Sequence, residues 1–128
     1  MFRILAIGVT ILFSSVAVSH HSISSLYDYT NVRELTGTLV AVRWVNPHVQ
    51  LKIETTGTDG EPEVWQLEAS AVNLLRRLGI DRGSIKEGDT VIVTGPVSRR
   101  GQKTMVASAI TLPSGQMVAL FPGSAARA

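Results

Sequence analysis

The chain carries three histidines, His20, His21 and His48, and no cysteine. A thiolate metal site is therefore ruled out, and the imidazoles, with backbone or amine nitrogens beside them, are the candidate transition-metal ligands. His20-His21 follows a stretch with the pattern of a secretory leader. Arg3 precedes an apolar run from Ile4 to Phe13, and small residues then lead up to Ser19. The run is too brief to span a bilayer. Cleavage after Ser19, with Ala17 at −3, makes His20 the first residue, so that its amine and imidazole chelate together. Cleavage after Ala17, with Ser15 at −3, leaves Val18-Ser19-His20 and puts a histidine third. There the amine, two deprotonated amides and an imidazole form a square-planar set. Such nitrogen-rich sites suit Cu(II) or Ni(II). His48 joins the site if the fold carries it to the terminus. The plainer alternative makes His20-His21 a polar lead-in and His48 an exposed strand-start residue.

A second candidate is a ligand rim. In Trp44-Val45-Asn46-Pro47-His48, proline ends a strand, because it cannot donate to a ladder and forces its predecessor extended. Trp44, Asn46 and His48 are then placed where one strand turns into the next. Trp44 also reads as core and Asn46 as a turn residue. Arg99, Arg100 and Lys103 crowd one basic turn, able to meet an anionic ligand or to serve as solvated charges at a hairpin tip. Catalysis is not expected. Ser22 beside two histidines on an extended segment does not set nucleophile, base and orienter in place, and there is no glycine-bounded serine elbow. No Gly-rich phosphate loop is present. Glu61, Glu63 and Glu68 along one strand read as solvated carboxylates.

These groups need a scaffold, and the composition limits what it is. Residues 1–19 are expected to be the leader, 20–121 a single domain and 122–128 a disordered tail. Without Arg3, the 12 basic residues become 11 against 10 acids, too balanced to displace many phosphate counterions. With two Trp, two Tyr and three Phe in the chain, bases have few rings to stack on. Nucleic acid is accordingly not an expected partner. The protein is expected in the periplasm or secreted, without a transmembrane anchor once cleaved.

Hydrophobic periodicity supplies the elements. Val32 to Asn46 reads as one long strand whose apolar phase slips. Leu35, Gly37 and Leu39 share a face, then Val42 and Trp44 continue on the opposite parity, which predicts a bulge near Gly37. His48 to Glu54 alternates cleanly, Asp59-Gly60 marks a hairpin, and Val64 to Glu68 follows as a third strand. A short helix is predicted from Ser70, with Ala71, Leu74, Leu75 and Leu78 on one stripe and Gly79 as its stop. Thr90 to Val97, interrupted at Gly95-Pro96, and Thr104 to Leu112 form the fourth and fifth strands, and Gln116 to Phe121 a short last one. Three strands, a helix and two strands is the order of an OB-fold barrel, with the helix between strands three and four. A long first strand can serve both sheets of such a barrel. The rival is an open antiparallel sheet under one helix. Leu35, Leu39, Val49, Leu51, Ile53, Trp65, Leu67, Leu74, Leu78, Val91 and Val93 are the expected core.

The motifs also carry a resemblance. His20-His21-Ser22, Leu35-Thr36-Gly37-Thr38-Leu39 and Trp44-Val45-Asn46-Pro47-His48 recur in order in a bacterial family of small exported proteins, domain-of-unknown-function family 6152. So do Trp65, Leu74, Arg77-Leu78-Gly79, Lys86-Glu87-Gly88-Asp89-Thr90-Val91 and Leu112-Pro113-Ser114-Gly115. The chain resembles that family over nearly its whole mature length. It departs at Ile23, where the family usually has an aromatic, and at Glu87, where it usually has proline or glycine. The resemblance implies a periplasmic β-domain and brings no activity with it.

The sequence thus describes an exported, monomeric, non-enzymatic binding module with copper as the candidate cofactor. The competing class is an interaction or scaffold domain that meets a protein, glycan or lipid head group through the barrel face or the Arg99–Lys103 turn. A histidine-brace copper enzyme shares the N-terminal histidines, but needs a flat aromatic surface for which this chain has few rings.

Overall fold

The computed structural model describes residues 23–122. The expected leader and the last six residues lie outside them. A single helical turn, α1 (Ile23–Leu26), leads into β1 (Tyr27–Arg43), which is long enough to belong to two sheets at once. Its first part, Tyr27 to Thr38, pairs with β4 (Thr90–Ser98), and its second part, Thr38 to Arg43, pairs with β2 (Gln50–Thr56). Then come β3 (Pro62–Glu68), α2 (Val72–Arg77), β5 (Thr104–Val106), β6 (Ala109–Thr111) and β7 (Met117–Ala119). The strand order β1-β2-β3-β5-β4, with β4 returning to β1, closes a five-stranded barrel, and β6 and β7 extend from β4. β3 and β5 run parallel, while the other pairs are antiparallel. This is the OB-fold arrangement with α2 between β3 and β4.

Period-2 alternation builds the interior. Along β2, Leu51, Ile53 and Thr55 point inward, while Gln50, Lys52 and Glu54 face out. Trp65 and Leu67 of β3, Val91, Val93 and Val97 of β4, Met105, Ile110 and Leu120 complete the buried set. The phase slip along β1 is real, but its bulge lies between Leu39 and Ala41, three residues beyond Gly37. Val40 is the extra residue, which lets Leu39 on one parity and Val42 on the other both turn toward the core. Gly37 answers a different need. A Cβ there would sit 2.4 Å from the Glu54 carbonyl oxygen, at the point where β1 passes from one neighbour to the other.

Several expectations are corrected. β1 starts five residues before Val32 and ends at Arg43. β4 runs unbroken through Gly95-Pro96, because the β1 register shifts between Asp28 and Val32, next to where the proline lacks its N–H. The fifth strand splits at Ala107-Ser108, where the chain changes partner from β3 to β4. Ala107 N–H donates to Glu68 O (2.8 Å) and Ser108 N–H to Thr94 O (2.9 Å). The last strand shortens to Met117–Ala119. In α2, Ala71 takes the N-cap position while Ser70 N–H is used by Leu120 O. Leu74 and Leu78, expected in the core, are 38% and 44% exposed, and only Leu75 of the helix is buried. Six residues are too few to present a full stripe, and Ile80 and Ile85 in the following connection fill the space instead.

Candidate functional site

The outward residues of β1, β2 and β3 come into register across three strands. Arg43 lies opposite Gln50, and Gln50 opposite Glu68; in the next row Ala41 lies opposite Lys52, Lys52 opposite Gln66, and Gln66 beside Thr104 of β5. Between these rows is a cavity of about 200 Å³, lined also by Tyr27, Leu51 and Leu67. Tyr27, the first residue of β1, is buried and hydrogen-bonds with Thr104. Burial first, and then the Glu68 carboxylate, push its phenol above the usual range. Arg43 Nη1 donates to Gln50 Oε1 at 3.4 Å. Neither Arg43 nor Lys52 has a carboxylate within ion-pair distance among the described residues.

His48 borders this patch. It precedes β2 on the same outward parity as Gln50, and its Nδ1 lies 3.6 Å from Glu68 Oε2. Its ring leans on Phe121, with centroids 5.9 Å apart. Its side chain is 30% exposed, so the imidazole is held but reachable. His20 and His21 lie outside the described residues. Among the described residues no group of three His, Cys, Asp or Glu side chains gathers to hold a metal.

The other rim candidates have other partners. Trp44 is half-buried against the core. Asn46 Oδ1 accepts from the Val72 N–H at 3.3 Å, so this loop residue satisfies an open donor in the first turn of α2. At the basic turn, Arg99 Nη1 lies 3.8 Å from Asp28 and Lys103 Nζ is bonded to Glu63. Glu63 also accepts from the Trp65 indole at 2.9 Å. The Lys103 bond and then the indole bond hold the Glu63 carboxyl below its ordinary range. Arg100 stands exposed at the tip. The residues that sequence reasoning passed over are Arg43, Lys52 and Gln66, whose outward polar alternation looked like any solvated strand face, and Tyr27, which lies before the expected start of the first strand.

A model of a family of unknown function, DUF6152, matches residues 9–107. The chain belongs to DUF6152. No curated protein matches this DUF6152 member. Its fold is similar to that of the mitochondrial single-stranded DNA binding protein Rim1 from S. cerevisiae, in two crystal forms. Form 2 aligns at TM-score 0.50 and 13% identity over 65% of this chain and 93% of Rim1. Form 1 aligns at 0.51 and 12% over 65% and 92%. At such identity the likeness establishes the OB-fold and nothing further. Among the described residues of the DUF6152 chain, no helix is long and apolar enough to cross a membrane.

Proposed function

We propose that this DUF6152 protein is an exported, non-enzymatic binding module that holds one Cu(II) ion, with the freed amino terminus and His20 or His21 as primary ligands and His48 as a barrel-borne ligand. The observation that carries this reading is the His48–Glu68 pair. The Glu68 carboxylate stands 3.6 Å from Nδ1, beyond hydrogen-bond distance but on the side that leaves Nε2 open to a metal, and a small side-chain rotation would close it into the outer-shell bond that ligating histidines use. The strand that the histidines lead into supports it too. Tyr27, the first residue of that strand, lines the same cavity as Glu68, the residue that faces His48.

Cu(II) titration of cleaved, metal-free protein, followed by electron paramagnetic resonance, tests this. One ion should bind with nitrogen hyperfine structure, and binding should weaken as pH falls, because amine and imidazole must lose protons to ligate. His48→Ala should lower the affinity by about tenfold or more, with the circular dichroism unchanged. Acetylating the amine, or retaining an N-terminal tag, should abolish the site. Unaltered affinity in a His20→Ala, His21→Ala variant would refute it.

A second reading, an interaction domain working through the barrel face without metal, is favoured by the cavity and its two unpaired cations. In either reading nucleic acid is not the ligand. The outward positions of β2 and β3 that an OB-fold offers to bases carry Gln50, Lys52, Glu54, Val64, Gln66 and Glu68, none of which is a stacking ring.

A further inference from the structure

The geometry points to a small-molecule site in the cavity over the outer β1-β2-β3 face, and we infer that its ligand is a short zwitterion of dipeptide size. The charges decide the class. Arg43 of β1 and Lys52 of β2 line the cavity together with Glu68 of β3, which stands diagonal to Lys52 as Arg43 does. Arg43 and Lys52 are diagonal neighbours across the β1–β2 pair, within reach of one anionic group for side chains of this length. A bare anion would gain from these two cations and be opposed by Glu68; a bare cation would meet the reverse. A molecule bearing both charges is complementary to all three.

The separation of charges narrows the class further. Arg43 and Glu68 are both paired with Gln50, from opposite sides, so their backbones stand two strand spacings apart, about 9.5 Å. A ligand whose charges lie several atoms apart matches that span more closely than an α-amino acid, whose ammonium and carboxylate are separated by one carbon. A dipeptide fits better. The volume of about 200 Å³ is more than ten times the roughly 10–15 Å³ that admits one water, enough for a small molecule of dipeptide size. Tyr27 and Gln66 supply hydroxyl and amide groups for the peptide unit, while Thr104 is already joined to Tyr27. Glu54, two residues from Lys52 on the same face, does not line the cavity. His48 does not line it either, so the site is separable from the copper reading although Glu68 borders both.

The test is a nuclear magnetic resonance titration of the full chain, kept metal-free with chelator, with glycylglycine as probe. The amides of Ala41, Lys52, Gln66 and Thr104 should shift together and saturate. Arg43→Gln with Lys52→Gln, and separately Glu68→Gln, should each weaken binding by about tenfold or more, as expected when a charged partner is lost. N-acetylglycine, which keeps only the negative charge, and glycinamide, which keeps only the positive one, should bind more weakly by a similar factor. His20→Ala with His21→Ala should leave glycylglycine binding unchanged while lowering Cu(II) affinity, which separates failure of one proposal from failure of the other. Absence of saturable shifts, N-acetylglycine binding as tightly as glycylglycine, or no effect of Glu68→Gln would overturn the inference.

Discussion

Replacing Gly95 by alanine should remove a large part of the stability of this barrel, for a reason that lies wholly in the strand beside it. A Cβ on Gly95 would stand 1.7 Å from the Val106 carbonyl oxygen and 3.1 Å from the Ser108 nitrogen. Both neighbours are backbone and cannot swing aside. Restoring an ordinary contact moves the end of β5 by roughly 1.5 Å. That displacement stretches two hydrogen bonds beyond use: Ala107 N–H to Glu68 O at 2.8 Å and Ser108 N–H to Thr94 O at 2.9 Å. Ala107 and Ser108 are buried, so water does not replace the lost partners. Each unsatisfied buried group costs about 1–3 kcal/mol, which gives about 2–6 kcal/mol in all. A domain of this size has about 5–15 kcal/mol in total. Urea unfolding followed by Trp fluorescence is the assay, and with a slope of about 1.5 kcal/mol per molar the midpoint should fall by about 1.3 to 4 M. Gly60→Ala is the control. It has positive φ and nothing within 4 Å, so it should cost only about 1 kcal/mol of backbone strain. A Gly95→Ala midpoint within about 0.5 M of wild type would refute the steric reasoning.

Further outcomes follow from the same packing and charge pattern. Leu51→Ala should cost about 2–5 kcal/mol by cavity formation, whereas Leu74→Ala, at an exposed position, should cost under about 1 kcal/mol; equal losses in thermal melts would contradict the observed helix orientation. Glu63 and Asp28 have carboxyls held below their ordinary values of 4.5 and 3.8, the first mainly by Lys103 and the second mainly by Thr30. The unfolded chain therefore binds more protons in this range. Their stabilisation is complete above the ordinary values and is lost as pH falls through the depressed ones, so urea midpoints should decline between about pH 5 and pH 2. Glu63→Gln should make that decline shallower, and an unchanged slope would count against the assignment. Single-stranded DNA should show no saturable binding below about 100 µM at physiological salt; a sub-micromolar affinity that collapses with added salt would overturn the reading of the β2–β3 face.

Much of the architecture could be read from the residues because strand alternation and helix placement are local signals. The clean period of β2, the slip along β1 and a single helix between the third and fourth strands suffice to indicate a five-stranded barrel. What stayed hidden depends on the neighbour. Gly95-Pro96 resembles a strand break, yet Gly95 is the place where Val106 approaches, and nothing in β4 itself announces that. Leu74, Leu75 and Leu78 have equal claims to burial by spacing. The short helix settles the matter by docking through Leu75, with Val72 partly buried beside it and Ile80 and Ile85 filling the remaining volume.

The site shows the same division between what a strand says and what its partner decides. His48 and Asn46 stood out by residue type, and the structure gives each a specific neighbour, Glu68 and the Val72 amide. Arg99 and Lys103 stood out by charge density, yet acids distant in sequence, Asp28 and Glu63, compensate them. Arg43 and Lys52 drew no notice, because a lone cation on an outward strand position is ordinary. The extra residue at Val40 changes the meaning of Arg43. It shifts β1 by one position, sets Ala41 opposite Lys52 and Arg43 opposite Gln50, and turns Arg43 over the cavity that Lys52 also lines, with no carboxylate within ion-pair distance of either among the described residues. A register shift of a single residue thus brings Arg43 over a cavity that nothing in the sequence of β1 alone announces.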